Sequence, residues 1–458
     1  MPLPDSSSPP CPSRCRLPFL KGFEHTATIH QTGILASVAF AILTWSSHRL
    51  TSPALLGCLL ATLAVTWSAT FRAVFWASRY PNRLSMPVVL AYALLFRAIG
   101  FFAEPVLEND HYRFLWDGRV FAERGSPYGV APAEFFPRQD LGDRFDEVLS
   151  QIAYPQIPTV YGPTLEFAFL ASYGIAPGEL WPLKGFLIVS ELLAWFFLRR
   201  WMDPVAQVLW LWCPLLIHET AFSAHPDAIG LAAMAAAIVA HHRSRPLLGG
   251  FLLAIAVGAR PFAVLILPLL PGRRVRASLL GFVPTLVLLH GPFLFVDSKT
   301  LDGWSAFAAG WEFNSSGFAI LQSIAGTRFA KTISGTLYLV AYLALVIGWR
   351  RRLEEPNPLK APGDSVFASL FLSSPVFNSW YAQWLVPFVA ARRRPWSIAL
   401  LGMVSLSYLT EGNLGMENAA SFNHPPWVRP IEFGLVLAVA AAFGVASRGF
   451  PCATTSPP

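Results

Sequence analysis

Residues 108–129 read ENDHYRFLWDGRVFAERGSPYG, a 22-residue run dense in ionisable side chains that follows directly on a strongly apolar segment. Taken as a helix, positions 110, 113, 114, 117 and 121 share one face. Asp110, Arg113 and Asp117 therefore line up, while Tyr112, Leu115, Trp116, Arg119 and Val120 fall elsewhere. A carboxylate-bearing face beside an aromatic one suits a membrane surface. Gly125, Pro127 and Gly129 end the helix, because glycine frees the backbone and proline removes a donor.

Outward from this run the chain is apolar. Hydrophobic residues make up 54% of it and charged residues 13%, against the roughly 25% charge of an ordinary soluble domain. An all-α, polytopic integral membrane protein follows, since a hydrocarbon core about 30 Å thick is crossed by about 20 apolar residues as helix. The clearest spans are Thr28 to Trp45, Pro53 to Phe75, Pro87 to Phe102, Ala277 to Val296, Thr332 to Trp349 and Pro430 to Ala446. A second group is shorter and interrupted by Pro, Gly or charge: Val205 to Ile217, Ala228 to Ala240, Leu247 to Gly258 and Pro261 to Leu270. Broken helices at membrane depth require protein or a polar cavity to satisfy the freed backbone.

The formal charge of +7 is spread over short loops rather than one patch. Basic residues gather at Arg72, Arg79 and Arg83, at Arg199 and Arg200, at Arg243 and Arg245, at Arg273, Arg274 and Arg276, at Arg350 to Arg352, and at Arg392 to Arg394. The positive-inside rule assigns such loops to the cytoplasm, so no nucleic-acid partner is needed to explain them. Counting alternately from a cytoplasmic amino end bearing Arg14, Arg16 and Lys21 gives about 12–14 crossings with both termini cytoplasmic, in an inner (cytoplasmic) membrane. The expected organisation is a disordered Pro- and Ser-rich tail over 1–25, a transmembrane domain over 26–447 and a cytoplasmic tail over 448–458. Within the domain, 104–160 forms the first large extracytoplasmic loop, carrying short interfacial helices, and 298–331 and 411–429 form further loops on that side. Cys11, Cys15, Cys58, Cys213 and Cys452 are odd in number and scattered, so free thiols are expected. No phosphate-cradling glycine loop follows a strand pattern, which disfavours a nucleotide-driven pump.

The order of Tyr112, Trp116-Asp117-Gly118-Arg119 and Ser126-Pro127-Tyr128 resembles the first extracytoplasmic loop of multi-spanning GT-C glycosyltransferases, most of all the bacterial mannosyltransferase-like branch that uses polyprenyl-phosphate sugars. Further stations follow in that family's order: Val160-Tyr161-Gly162-Pro163, Ala224-His225-Pro226-Asp227-Ala228, Trp311-Glu312-Phe313-Asn314-Ser315-Ser316, and Ser374-Pro375 with Trp380-Tyr381 and Trp384. Together they cover about three quarters of the chain, Glu108 to Glu432. Two positions depart from the pattern. Asn109-Asp110 stands where related chains often carry adjacent acids, with Glu108 as the available substitute, and Pro226 replaces an Asn.

The resemblance implies transfer of a sugar, such as the hexose mannose, from a polyprenyl-phosphate donor to a glycan, lipid or protein hydroxyl on the outer face. A hydroxyl is a poor nucleophile at neutral pH, so a carboxylate must take its proton. Asp110 is the candidate base. The leaving phosphate needs charge stabilisation, which an arginine fork supplies well, and Arg260 between two short apolar segments is the candidate. His225, Asp227, Asn314, Trp380 and Tyr381 are candidates for donor phosphate or sugar binding. Glu108 and Asp110 are candidate ligands of a divalent cation, Mg2+ or Mn2+.

Plainer readings stand beside these. Asp110, Arg113 and Asp117 also fit a solvated salt-bridge ladder, and Arg113 with Asp117 and Arg119 fits a structural brace of the loop. His218, Glu219, His225 and Asp227 flank a break between apolar pieces, where ionisable groups must be paired or face a cavity. Arg260 fits a snorkelling side chain, and the aromatic residues fit an interfacial belt. A secondary transporter would place paired interruptions in two halves of the chain, which the sequence lacks. A flippase or scaffold would leave Asp110 without catalytic demand.

Overall fold

The computed structural model describes residues 18–136, 141–270, 275–296, 301–352, 355–416 and 422–449. Most of the expected amino-terminal tail, the carboxy-terminal end, Arg273, Arg274, Cys11, Cys15 and Cys452 lie outside the described residues. Among the described residues the fold is helical, and the sole β-type pairing is an isolated parallel bridge between Phe313 and Val376.

Five helices among the described residues are long and apolar enough to cross a membrane: Thr28–Ser47, Ala54–Arg79, Trp181–Trp201, Arg276–Leu294 and Gly317–Arg350. A broken pair, Pro204–Leu211 and Pro214–Phe222, bends by 41° and together passes the same test. Shorter apolar helices, Met86–Phe101, Asp227–His242, Pro246–Ala259 and Pro395–Tyr408, fill out the bundle. The chain is an integral membrane protein. Proline opens many of these helices, as at Pro163, Pro204, Pro214, Pro246 and Pro395, where its fixed φ suits the first turn and its missing N–H costs nothing. Asp203 adds a side-chain cap, accepting from the Ala206 N–H at 2.8 Å.

Two expected boundaries shift. A helical stretch from Gly317 precedes the span expected from Thr332, and the two meet at a kink at Gly326, whose φ of 75° is one that an L side chain would resist. Much of the expected 298–331 loop is accordingly helical, with a further helix over Asp302–Gly310. The apolar piece expected to end at Ile217 continues into a wide π turn over His218–Phe222, which carries the buried His218 and Glu219.

Helix Asp110–Arg124 forms where its pattern predicts, with Gly125 at φ 74° closing it. It does not lie on a surface. Every residue from Phe114 to Phe121 is buried, and the helix packs against Pro163–Ile175 so closely that a Cβ on Gly118 would stand 2.6 Å from the Phe169 carbonyl oxygen. A second close crossing joins Gly162 to helix Pro246–Ala259, where a Cβ would meet the Gly258 carbonyl oxygen at 2.1 Å. Thr164 seals that contact by donating to the Ile255 carbonyl at 2.8 Å. This crossing brings Tyr161 beside Arg260. Deeper in the bundle, buried Arg97 pairs with buried Glu191, which also accepts from Trp210 Nε1 at 2.7 Å, so neither charge is left bare in an apolar interior.

Candidate functional site

Asp110 is the first residue of its helix, where the partial positive charge of the unpaired backbone N–H groups favours a carboxylate. It faces a cavity of about 370 Å³ that is also lined by Glu108, Arg113, Tyr161, Arg260 and Trp380. The Tyr161 hydroxyl donates to Asp110 Oδ2 at 3.3 Å. Burial, and then the charge of Asp110, hold that phenol above its ordinary range, so it remains a donor. Glu108 is shifted upward well beyond the usual carboxylate range, first by burial and then by the like charges of Asp110 and Glu219. His111, on the buried side of the helix, is pushed down to about 3, chiefly by burial and next by Lys184.

Arg113 reaches the cavity while its Nε donates to both oxygens of Asp117, at 2.9 and 3.1 Å, and its Nη2 to the Ile157 carbonyl at 2.9 Å. This is not a solvated ladder, since Asp117 is 2% exposed. Burial raises the Asp117 carboxyl despite Arg113 beside it. Arg119 does not join the pair. It bonds Glu123 at 2.7 Å and the Leu141 carbonyl at 2.8 Å, and lies over the Phe145 ring.

Arg260 follows the last residue of helix Pro246–Ala259 in extended conformation, and its side chain lines the cavity wall. Its Nε and Nη2 donate to the two oxygens of Asp227 at 3.0 and 2.8 Å, and Trp384 Nε1 donates to the same carboxylate at 2.8 Å. The guanidinium sits between the rings of Tyr161, 5.5 Å from its centroid, and Tyr381, at 5.1 Å. Asp227 thus stands behind the lining and acts through Arg260.

His225 also stands behind the lining. Its Nδ1 meets Glu219 Oε2 at 2.7 Å, and its ring stacks on Trp380 with centroids 3.8 Å apart and planes 15° apart. Glu219 in turn accepts from the Tyr408 hydroxyl at 3.2 and 3.3 Å and approaches His218 Nδ1 at 3.4 Å. The break flanked by His218, Glu219, His225 and Asp227 is therefore filled by paired groups, as burial demands. Asn314 lies outside the lining: its side-chain N–H donates to Glu432 at 2.9 Å and to the Phe377 carbonyl at 3.4 Å.

Sequence reasoning gave no role to Tyr161, Glu312, Tyr154 or Phe422, all of which line the cavity. Tyr161 and Glu312 were visible inside quoted motifs. Tyr154 and Phe422 pack against each other from distant loops, 5.7 Å between centroids with planes tilted by 33°, which no local pattern records. Among the described residues no three His, Cys, Asp or Glu side chains converge on a metal position. Glu108 and Asp110 remain a two-carboxylate donor set on one lining, a composition that suits a hard cation completed by phosphate oxygens.

The cavity thus joins carboxylates at one helix start to two guanidinium groups and an aromatic shelf. Residues 19–272 match the family model of the alpha-(1->6)-mannopyranosyltransferase N-terminal domain. No curated protein and no solved structure matches the chain.

Proposed function

Because the chain belongs to the alpha-(1->6)-mannopyranosyltransferase family, we propose that this membrane mannosyltransferase takes its sugar from a polyprenyl-phosphate donor at the cavity of Asp110 and Arg260, on the extracytoplasmic face. The acceptor oxygen bonds the anomeric carbon while the bond from that carbon to the phosphate oxygen breaks. The departing electron pair stays on the polyprenyl phosphate, and the acceptor proton passes to Asp110. The observation that carries this reading is the shared lining of a carboxylate poised at a helix start and a guanidinium fixed by a buried partner.

Each neighbour has a part. Tyr161 orients the Asp110 carboxylate through its hydroxyl. Arg260, aligned by Asp227, offers its remaining N–H groups to phosphate oxygens, and Arg113 adds positive charge on the same wall. Trp380, supported from behind by His225, presents a flat face against the apolar side of a hexose. Glu108 and Asp110 are the residues that would hold a divalent cation, whose chemistry there would be neutralisation of the leaving phosphate. Asn314 acts at a distance, fixing the segment between Phe313 and Phe377.

The test is transfer by purified protein in lipid vesicles, given labelled mannose either on polyprenyl phosphate or on a nucleotide. Label moves to an alkyl mannoside from the lipid donor alone. Transfer from the nucleotide donor would overturn the donor assignment, and solute uptake without transfer would favour a carrier.

A further inference from the structure

A second cavity, of about 410 Å³, adjoins the first. The two share Glu108, Asn109, Phe313, Trp380 and Phe422 as a common wall. Their chemistry differs. The first is lined by Arg113 and Arg260, whereas among the described residues no basic side chain lines the second, and Glu108 is its sole acid. Its remaining polar lining consists of hydroxyls and the amides of Asn109 and Asn413, the hydroxyls including Ser52, Ser379 and Thr410, set among apolar groups such as Leu55 and Leu107. Without a cation it has nothing to offset a phosphate's charge. Hydroxyls alternating with apolar patches match the two kinds of surface on a sugar ring.

We propose that this second chamber holds the end of a neutral oligosaccharide acceptor, delivering its nucleophilic hydroxyl across the wall at Glu108 toward Asp110. The inference rests on the mannosyltransferase reading and divides its two substrates by charge: the anionic donor with Arg113 and Arg260, the neutral acceptor with Thr410 and Asn413. Glu108 and Asn109 stand in the wall between the two chambers, so a hydroxyl crossing it passes their side chains before it reaches Asp110. The volume is ample for a sugar unit behind the reacting one, so a disaccharide binds better than a monosaccharide. Ser52 is at the exposed rim, where bulk narrows the mouth without entering the packed core.

The experiment measures binding of an alkyl α-1,6-dimannoside and of polyprenyl phosphate to the full chain in detergent, in the absence of transfer. Ser52→Trp and Thr410→Val each weaken the dimannoside at least tenfold and leave polyprenyl phosphate binding unchanged. Arg260→Gln does the reverse. Dimannoside binding that is absent, or unaffected by both rim and lining variants, would overturn the chamber's assignment. So would a loss of polyprenyl phosphate binding in those variants, which would give the chamber to the donor's lipid. Mannose transfer by the unsubstituted protein is scored separately, so failure of the chamber's role and failure of the mannosyltransferase reading are told apart.

Discussion

Asp227 grips Arg260 through two parallel hydrogen bonds of 3.0 and 2.8 Å, and it is the grip, not the arginine alone, that aims the guanidinium at the cavity. Asp227→Asn leaves a buried guanidinium without its counter-charge, a change of about 3–5 kcal/mol in stability for pairs of this kind. The variant unfolds at lower temperature in detergent and binds polyprenyl phosphate more weakly. Arg260→Lys keeps the charge but loses the fork, so it lowers donor affinity at least tenfold with a smaller loss of stability. Equal donor affinity in both variants and the parent chain would remove Arg260 from the phosphate site.

Trp380 owes its orientation to the His225 ring stacked 3.8 Å behind it. Trp380→Ala raises the donor KM roughly tenfold or more, while Trp380→Phe retains most of the affinity because a flat face remains. His225→Ala, which never touches the sugar, gives an intermediate KM and a changed indole fluorescence. Unaltered fluorescence in that variant would contradict the support role.

Acid sensitivity follows from His111, held neutral to about 3 in the fold against 6.5 in the unfolded chain. Between those values the unfolded state binds more protons, so stability rises with pH and is lost as pH falls through 6.5. Thermal melting should therefore drop from pH 7 to pH 5, and His111→Gln should flatten that side. Glu108 acts in the opposite sense: its raised value makes stability fall as pH rises above the usual carboxylate range, and Glu108→Gln should flatten the alkaline side. A melting profile insensitive to either substitution would refute the corresponding assignment.

Gly118 stands where two helices touch, with only 2.6 Å between an added Cβ and the Phe169 carbonyl oxygen. Gly118→Ala forces helix Asp110–Arg124 away from Pro163–Ile175, with a typical overpacking penalty of about 1–3 kcal/mol. Because Tyr161 and Asp110 approach across that same pair of segments, activity should fall further than stability. Normal activity and melting would show that the interface yields freely.

The all-α class, the helix over Asp110–Arg124 and its Gly125 stop were legible because they rest on composition and on a local period. The burial of Asp117 was not, since helical spacing gives a face but says nothing of what lies against it; here it is a second helix admitted by Gly118. Arg260 and Asp227 were each legible as costly charges in apolar surroundings. Their union was not, because it joins positions on two different helices that meet at Gly230, where an added Cβ would stand 2.8 Å from the Ala259 Cβ and 2.7 Å from the Trp384 ring. Asn314 was singled out from a motif, yet its amide turns to Glu432, a partner that no spacing rule connects to it.

The central claim is that Asp110 removes the acceptor proton. Its most direct test is single-turnover transfer of labelled mannose from polyprenyl phosphate by reconstituted protein, with Asp110→Asn compared against the parent chain at matched donor occupancy. The account predicts that the Asn variant inserts, binds donor and loses at least a hundredfold in rate. An Asn variant that transfers mannose at the parent rate would contradict it.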